Sequence, residues 1–149
     1  MTQFRFSLQV LLEHREDIEE KERDILFRKI YAWQLACRDR EKLELKQNDT
    51  IKEFALKQSQ NIQPLEMNWF RLYLNRLRFE IEECEKRIAK LDLEVQEQKK
   101  IVIEATTKRK VLSTLKSRQQ KEFLVTLDKK EQKEVEEWVT TRHAAGRNA

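Results

Sequence analysis

The sequence predicts an all-α protein built from two long helices that pack as an antiparallel coiled-coil hairpin. Three observations lead to this fold class. The 149 residues include one glycine and one proline, whereas average usage gives roughly ten glycines and about seven prolines. Charged residues make up 39% of the chain and aromatic residues 8%, a composition typical of long helices. Apolar residues also recur every 3.5 residues through six heptads, which indicates a coiled-coil seam.

The helix boundaries follow from the few residues that interrupt helices. Residues 1–6 form a short lead, and Ser7 is a candidate N-cap for helix one, which we expect over about 7–58. The turn is expected near 59–64, because proline excludes the helical conformation for the residue before it and fits the first turn of a new helix. Helix two is then expected over about 65–141 and is the longer helix, followed by a frayed C-terminus at 142–149. The whole chain, 1–149, is predicted to form a single hairpin domain.

Helix two carries the clearer periodicity. Steps of four and three residues from Phe70 reach thirteen positions, and eleven of them are apolar. Gln98 and Arg109 are the two polar positions, and polar residues in a seam can fix its register. The predicted apolar seam comprises Phe70, Leu74, Leu77, Ile81, Cys84, Ile88, Leu91, Val95, Val102, Ala105 and Leu112.

Helix one has a seam whose register the sequence leaves open. One series recurs every seven residues but has charged residues between its members, and a second series runs over the middle of the helix. The first comprises Leu11, Ile18, Ile25 and Ala32; the second comprises Leu26, Ile30, Trp33 and Cys37; Ile51, Phe54 and Gln58 continue into the turn. Because helix two is longer than helix one, roughly the last twenty residues of helix two are predicted to have no partner helix in a simple hairpin.

The composition excludes several classes of function. The lone glycine, Gly146, rules out glycine-rich phosphate and dinucleotide loops. Apolar runs are far shorter than the roughly 20 residues that span a membrane, and no secretory signal is recognisable. The two histidines and two cysteines lie too far apart in sequence for a zinc motif. We therefore expect no enzyme activity, no catalytic, metal or cofactor site and a cytoplasmic location.

The two cysteines have two possible roles. Cys37 and Cys84 sit on apolar stripes of the two helices, and we expect them to be small core residues. Reflection about the turn brings them within about one helical turn of each other, so a redox pair is the alternative.

Three surfaces are candidates for partner binding. The first is the turn-proximal strip, which lies mainly on outward positions of helix two and contains Trp and Tyr, residue types that anchor interfaces. Alternatively, the turn folds back over the strip, or the strip forms a crystal contact or a self-dimer contact. The second, the basic open end, carries the basic residues of the segment 99–121, whose net charge is +7; a solvated helix face is the alternative. The third is the overhang, formed by the apolar residues near the unpartnered end of helix two, and this end could equally be a fraying terminus. The strip is Leu65, Trp69, Leu72, Tyr73 and Phe79; the basic open end is Lys99, Lys100, Lys108, Arg109, Lys110, Lys116, Arg118 and Lys121; the overhang is Phe123, Leu124, Leu127, Val135 and Trp138.

The chain resembles the flagellar FliJ family, which includes related stalk proteins of type III secretion systems. The stretch from Phe4 to Arg15 is similar to the family's opening pattern of Phe, Leu-Gln and Leu-Leu followed by charge. A short break then precedes the stretch from Asn68 to Leu74, ahead of a long Glu/Lys/Arg helix. The resemblance covers most of the chain.

The resemblance implies a component of the flagellar type III export apparatus that is not an enzyme. Members of the family bind the hexameric ring of the export ATPase and the cytoplasmic domain of the export-gate membrane protein, and some bind export chaperones. The implied protein is cytoplasmic, associates peripherally with the membrane through the apparatus, and is a monomer in isolation. Without the resemblance, a homodimeric coiled-coil scaffold is the alternative, and a basic coiled coil associated with nucleic acid is a weaker one.

Overall fold

The structure is a computed structural model that describes residues 2–148. It consists of two helices, α1 over Gln9–Ser59 and α2 over Pro64–Arg147, with no strand among the described residues. The helices hold 51 and 84 residues and pack against each other as a hairpin, which confirms the predicted fold class. The chain divides into two compact units. We call them the turn unit, Glu20–Ile103, and the open-end unit, which contains the residues up to Glu19 and those from Glu104 onward. The single domain stays a prediction.

The turn lies where the proline predicted it. Residues 60–63 link the two helices, and Pro64 is the first residue of α2. Asn61 has a φ of 57°, a left-handed conformation that asparagine tolerates better than most residues. The Gln60 amide donates to the Lys57 carbonyl at 3.1 Å, which satisfies one of the last carbonyls of α1. The unbroken helix through Pro64 that a simple dimeric scaffold would have is therefore not formed.

In the turn unit the two helices run antiparallel. Phe54 contacts Phe70 near the turn, with ring centroids 5.2 Å apart, and the Cys84 thiol donates to the Ala36 carbonyl at 3.4 Å farther along. Each predicted seam residue of α2 in this unit is buried or half-buried.

The structure supplies the register of α1 that the sequence left open. Steps of three and four residues from Leu12 to Lys57 reach only buried or half-buried positions, through both units. In the first series, Leu11 and Ile25 are exposed, at 39% and 37%, and Ile51 near the turn is 47% exposed. The second series, from Leu26 to Cys37, is half-buried throughout, like Phe54. The register was not visible in the sequence because most of its positions are polar. The full set of positions is Leu12, Arg15, Glu19, Glu22, Leu26, Lys29, Trp33, Ala36, Arg40, Leu43, Gln47, Thr50, Phe54 and Lys57.

In the open-end unit the N-terminal lead packs on α2. Phe6 is buried with Leu12 and Leu112 in one cluster, and the Phe4 ring lies 5.7 Å from that of Phe123. The Leu12 amide donates to the carbonyl of residue 8, so α1 begins at Gln9, two residues later than expected, and Ser7 lies in the preceding turn.

The predicted end of helix two is wrong by six residues, because α2 continues to Arg147. The hydroxyls of Thr140 and Thr141 donate to the carbonyls of Glu136 and Glu137 at 2.6 and 2.7 Å. These bonds to the preceding turn are compatible with a continuous helix. Gly146 has no positive φ and stays within the helix.

Candidate interaction surfaces

The turn-proximal strip lies on the outward face of α2 in the turn unit. Leu65, Trp69, Leu72 and Phe79 are 85%, 56%, 62% and 62% exposed, whereas Tyr73 is half-buried. The short link of residues 60–63 does not cover these side chains. The strip is therefore an apolar surface that no described residue shields from solvent.

Aromatic packing holds Trp69 in one orientation on this surface. Its ring stacks on Tyr73 with centroids 5.2 Å apart and planes 7° apart. It also meets Phe70 edge-on at 5.0 Å, and Phe70 is only 1% exposed. An aromatic side chain that is ordered before binding loses little conformational entropy when a partner covers it.

An ion pair across the turn supports the same end of α2. Lys57 Nζ lies 2.8 Å from Glu66 Oε1, and the hydrogen bond to that carboxylate raises the pKa of Lys57. The ammonium also lies 5.4 Å from the centroid of the Phe70 ring, within the range of a cation–π contact. This pair joins the last turn of α1 to the first turn of α2.

The basic open end is divided between the two units. Lys99 and Lys100 belong to the turn unit, and the other six residues belong to the open-end unit. Five of the eight have no ion pair within residues 2–148. These are Lys99, Lys100, Lys110, Lys116 and Lys121.

Arg109 lies in the seam rather than on the outer surface. Its side chain is 27% exposed, and its Nε donates to the carboxylate of Glu19, whose side chain is 6% exposed. Lys108 and Arg118 are also paired, with Glu104 and Glu122 on their own helix. The charge count along the sequence overstated the free basic surface, because three of the eight basic side chains are paired with carboxylates.

Gln98, the other polar seam residue, is 3% exposed in the turn unit. Its Nε2 donates to the backbone carbonyl of Glu22 at 3.0 Å and to its carboxylate at 2.5 Å. A buried amide with both bonds made costs little, whereas in any shifted register it would lose them.

The overhang is shorter than the predicted apolar set. Phe123 is half-buried against Phe4, and Leu127 is half-buried as well. From residue 128 to 148 every residue is exposed, including Val135 and Trp138 at 61% each. The Arg142 guanidinium lies 4.9 Å from the centroid of the Trp138 ring. In the open-end unit, this final part of α2 is therefore helical but exposed to solvent along its whole length.

The cysteines are free thiols in the structure. Cys37 and Cys84 are both half-buried in the turn unit. Burial raises the pKa of the Cys84 thiol, so that the neutral form is favoured. Among the described residues, no group of three or more His, Cys, Asp or Glu side chains is placed to hold a metal ion. None of the described helices is long and apolar enough to cross a membrane.

A second exposed apolar surface, which the sequence alone did not indicate, lies on α1. Phe27, Tyr31 and Leu35 are 70%, 60% and 40% exposed and lie four residues apart. We call them the outer stripe. Their spacing is visible in the sequence, but without the register of α1 the same residues could equally be part of the seam.

The chain matches the family described as Flagellar FliJ protein over residues 4–148. Comparisons with curated proteins and with solved structures gave no match.

Proposed function

Because this chain belongs to the FliJ family, and is thus a component of the flagellar export apparatus, we propose that it couples the export ATPase to the export gate. In this proposal the protein is not an enzyme. It binds the ATPase ring as a central-stalk-like element, contacts the cytoplasmic domain of the gate protein, and escorts export chaperones. It acts in the cytoplasm and reaches the membrane only through the apparatus.

The observation that carries this proposal is the extent of the family match. Residues 4–148 include the lead from Phe4 onward, α1, the turn and all of α2. A match confined to one periodic helix would be expected of many coiled coils. Here the match includes the turn and the N-terminal lead, which a generic coiled coil does not need.

We assign the ATPase ring to the lysines of the open-end unit. Lys110, Lys116 and Lys121 have no ion pair among the described residues, so their charge is available to a partner. Unpaired basic groups accelerate encounter with an acidic surface and favour it over a basic one. Lys99 and Lys100, the other unpaired lysines of the basic open end, belong to the turn unit and are not part of this assignment.

We assign the gate protein, and the chaperones, to the turn-proximal strip. The strip offers exposed Leu and Phe side chains around a Trp69 ring that Tyr73 and Phe70 hold in place. Aromatic residues of this kind commonly carry most of the binding energy of an interface.

Coupling requires that the protein bind some nucleotide states of the ring more tightly than others. A ligand with equal affinity for all states shifts none of them. Differential binding to the ring would stabilise one state and, by reciprocity, each nucleotide would change the affinity for this protein.

The test is stimulation of the cognate export ATPase by the purified chain. We expect an increased rate of ATP hydrolysis and tighter assembly of the ring. The triple variant Lys110→Glu/Lys116→Glu/Lys121→Glu should lose this stimulation and retain binding to the gate domain.

A matched variant tests the second assignment. Trp69→Ala/Phe79→Ala should keep the helical content and the stimulation of the ATPase, but lose binding to the gate domain. If neither the ATPase nor the gate domain binds the intact chain, the proposed function is wrong. If the two variants exchange phenotypes, the coupling proposal stands and the assignment of surfaces is reversed.

A further inference from the structure

The outer stripe lies on the face of α1 that points away from α2. In the observed register Leu26 and Trp33 occupy the same seam position one heptad apart. Phe27, Tyr31 and Leu35 then fall on the outward heptad positions b, f and c. Residues four apart are neighbours on a helix surface, so these three side chains form one continuous apolar track.

Phe27 is the most exposed of the described aromatic residues. Phe27 is 70% exposed and Tyr31 60% exposed, and neither has an aromatic or hydrogen-bonding contact among the described residues. Scattered exposed apolar residues are normal, whereas contiguous apolar surface marks an interaction site.

Unpaired basic side chains lie beside the stripe. Residues 25–38 contain three basic side chains and no acidic one. Arg28 and Arg38 are exposed, lie on the same outward face, and form no ion pair within the described chain. The nearest acidic residues on α1 are Asp24 and Asp39, at the two ends of this stretch.

These features specify the chemistry of the occupant. A straight helix face with apolar residues at intervals of four is complementary to the apolar stripe of another amphipathic helix. Unpaired guanidinium groups beside the stripe favour carboxylates on the flank of that helix. We propose that the outer stripe, Phe27, Tyr31 and Leu35, is a docking surface for an amphipathic helix with acidic flanks that belongs to another protein. This surface is separate from the turn-proximal strip and from the lysines of the open-end unit, and its occupancy does not depend on the function proposed above.

The experiment uses the full chain and two labelled helical peptides of about three heptads each. One peptide has Leu at the first and fourth positions of each heptad and Glu at the flanking positions. The other has Lys in place of every Glu. Fluorescence anisotropy should show that the acidic peptide binds, that the basic peptide does not, and that added salt weakens binding.

Two variants locate the contact. Phe27→Ala/Tyr31→Ala should weaken binding of the acidic peptide by about tenfold or more, as is usual for anchor residues. Arg28→Glu/Arg38→Glu should abolish the preference for the acidic peptide. Leu45→Ala/Leu56→Ala, which removes two apolar residues of α1 that are 61% and 64% exposed and belong to none of the surfaces named above, is the matched control and should bind like the unaltered chain.

Circular dichroism checks that all three variants keep the helical content of the unaltered chain. Equal binding of the two peptides would overturn the proposal, and so would an unaltered affinity of Phe27→Ala/Tyr31→Ala. Sedimentation equilibrium tests whether the stripe instead binds a second copy of this chain. If the chain self-associates and Phe27→Ala/Tyr31→Ala abolishes that association, the stripe binds a second copy and the proposal is wrong.

Discussion

Two polar contacts cross the seam at positions where apolar residues ordinarily pack. Glu19 pairs with Arg109 in the open-end unit, and Glu22 accepts from Gln98 in the turn unit. Each contact is satisfied only when the two helices have their observed register, since a shift by one heptad would separate the partners. These residues therefore specify how the helices align more than they add to stability.

Removing one partner of the buried ion pair should be costly. Glu19→Ala leaves the Arg109 guanidinium without its partner, and we expect the free energy of unfolding to fall by about 2–3 kcal/mol. Urea denaturation followed by circular dichroism measures this loss.

The matched control is Glu16→Ala, which removes an exposed carboxylate three residues away and should change stability by less than about 0.5 kcal/mol. The double variant Glu19→Leu/Arg109→Leu should recover most of the lost stability, because no buried charge is then unpaired. Equal losses for Glu19→Ala and Glu16→Ala would show that the ion pair has no special role.

The Cys84 thiol gives a prediction for alkaline pH. Burial raises its pKa above the ordinary value of 9.0, so the folded state binds the thiol proton more tightly than the unfolded state does. This tighter proton binding stabilises the folded state. The stabilisation is fully present below the pKa of the thiol in the unfolded state and is lost as the pH rises through its pKa in the folded state. The free energy of unfolding should therefore fall above about pH 9.

Chemical denaturation at pH 8, 9 and 10 measures this dependence. Cys84→Ser, whose hydroxyl does not titrate in this range, should show a shallower decline. In the folded chain Cys84 should also react with iodoacetamide more slowly than in urea. A decline of equal slope in Cys84→Ser would assign the effect to other groups.

At the scale of the helices, α1 and α2 use different kinds of seam. The seam of α2 is almost entirely apolar, so its periodicity is visible in the sequence. In α1 several core positions are occupied by charged residues such as Lys29, Arg40 and Lys57, which are half-buried. Long basic side chains can pack their methylene groups in the seam and keep their charge near water. Their presence hides the register of α1 from any search for apolar repeats.

Two aspartate substitutions test the register. Ile81→Asp places a charge at a seam position that is 9% exposed, and we expect the free energy of unfolding to fall by at least about 3 kcal/mol. Ile51→Asp makes the same chemical change at a residue that is 47% exposed and should cost less than about 1 kcal/mol.

Thermal unfolding monitored at 222 nm compares the two variants under the same conditions. If Ile51→Asp is as destabilising as Ile81→Asp, Ile51 belongs to the core and the register of α1 described above is wrong.

For the molecule as a whole, we expect a monomer in solution. The seam of each helix is already covered by the other helix of the same chain, and the net charge of +4 opposes self-association. Sedimentation equilibrium should give a mass near 18.2 kDa over a wide range of concentrations. A mass of twice this value at low concentration would show that an exposed surface joins two copies.

Much of the fold is determined by the sequence alone, because the relevant signals are local. Pro64 and the scarcity of glycine set the one turn, and the apolar repeat from Phe70 to Leu112 sets the seam of α2. The outward positions of Leu65, Trp69, Leu72 and Phe79 also follow from this repeat, since heptad positions are fixed once the seam is known. Helix propensity and side-chain periodicity act within a few residues and can be recognised without the partner helix.

The tertiary structure decided the features that depend on what lies across the seam. It placed Arg109 against Glu19 rather than on the basic surface, and it packed the N-terminal lead on α2. It also fixed the register of α1, and with it the outward position of Phe27 and Tyr31. A polar side chain is stable in a core only opposite a partner that satisfies it, and that partner is 90 residues away for Glu19. Such pairings arise from the packing of distant segments, and no local pattern in this sequence encodes them.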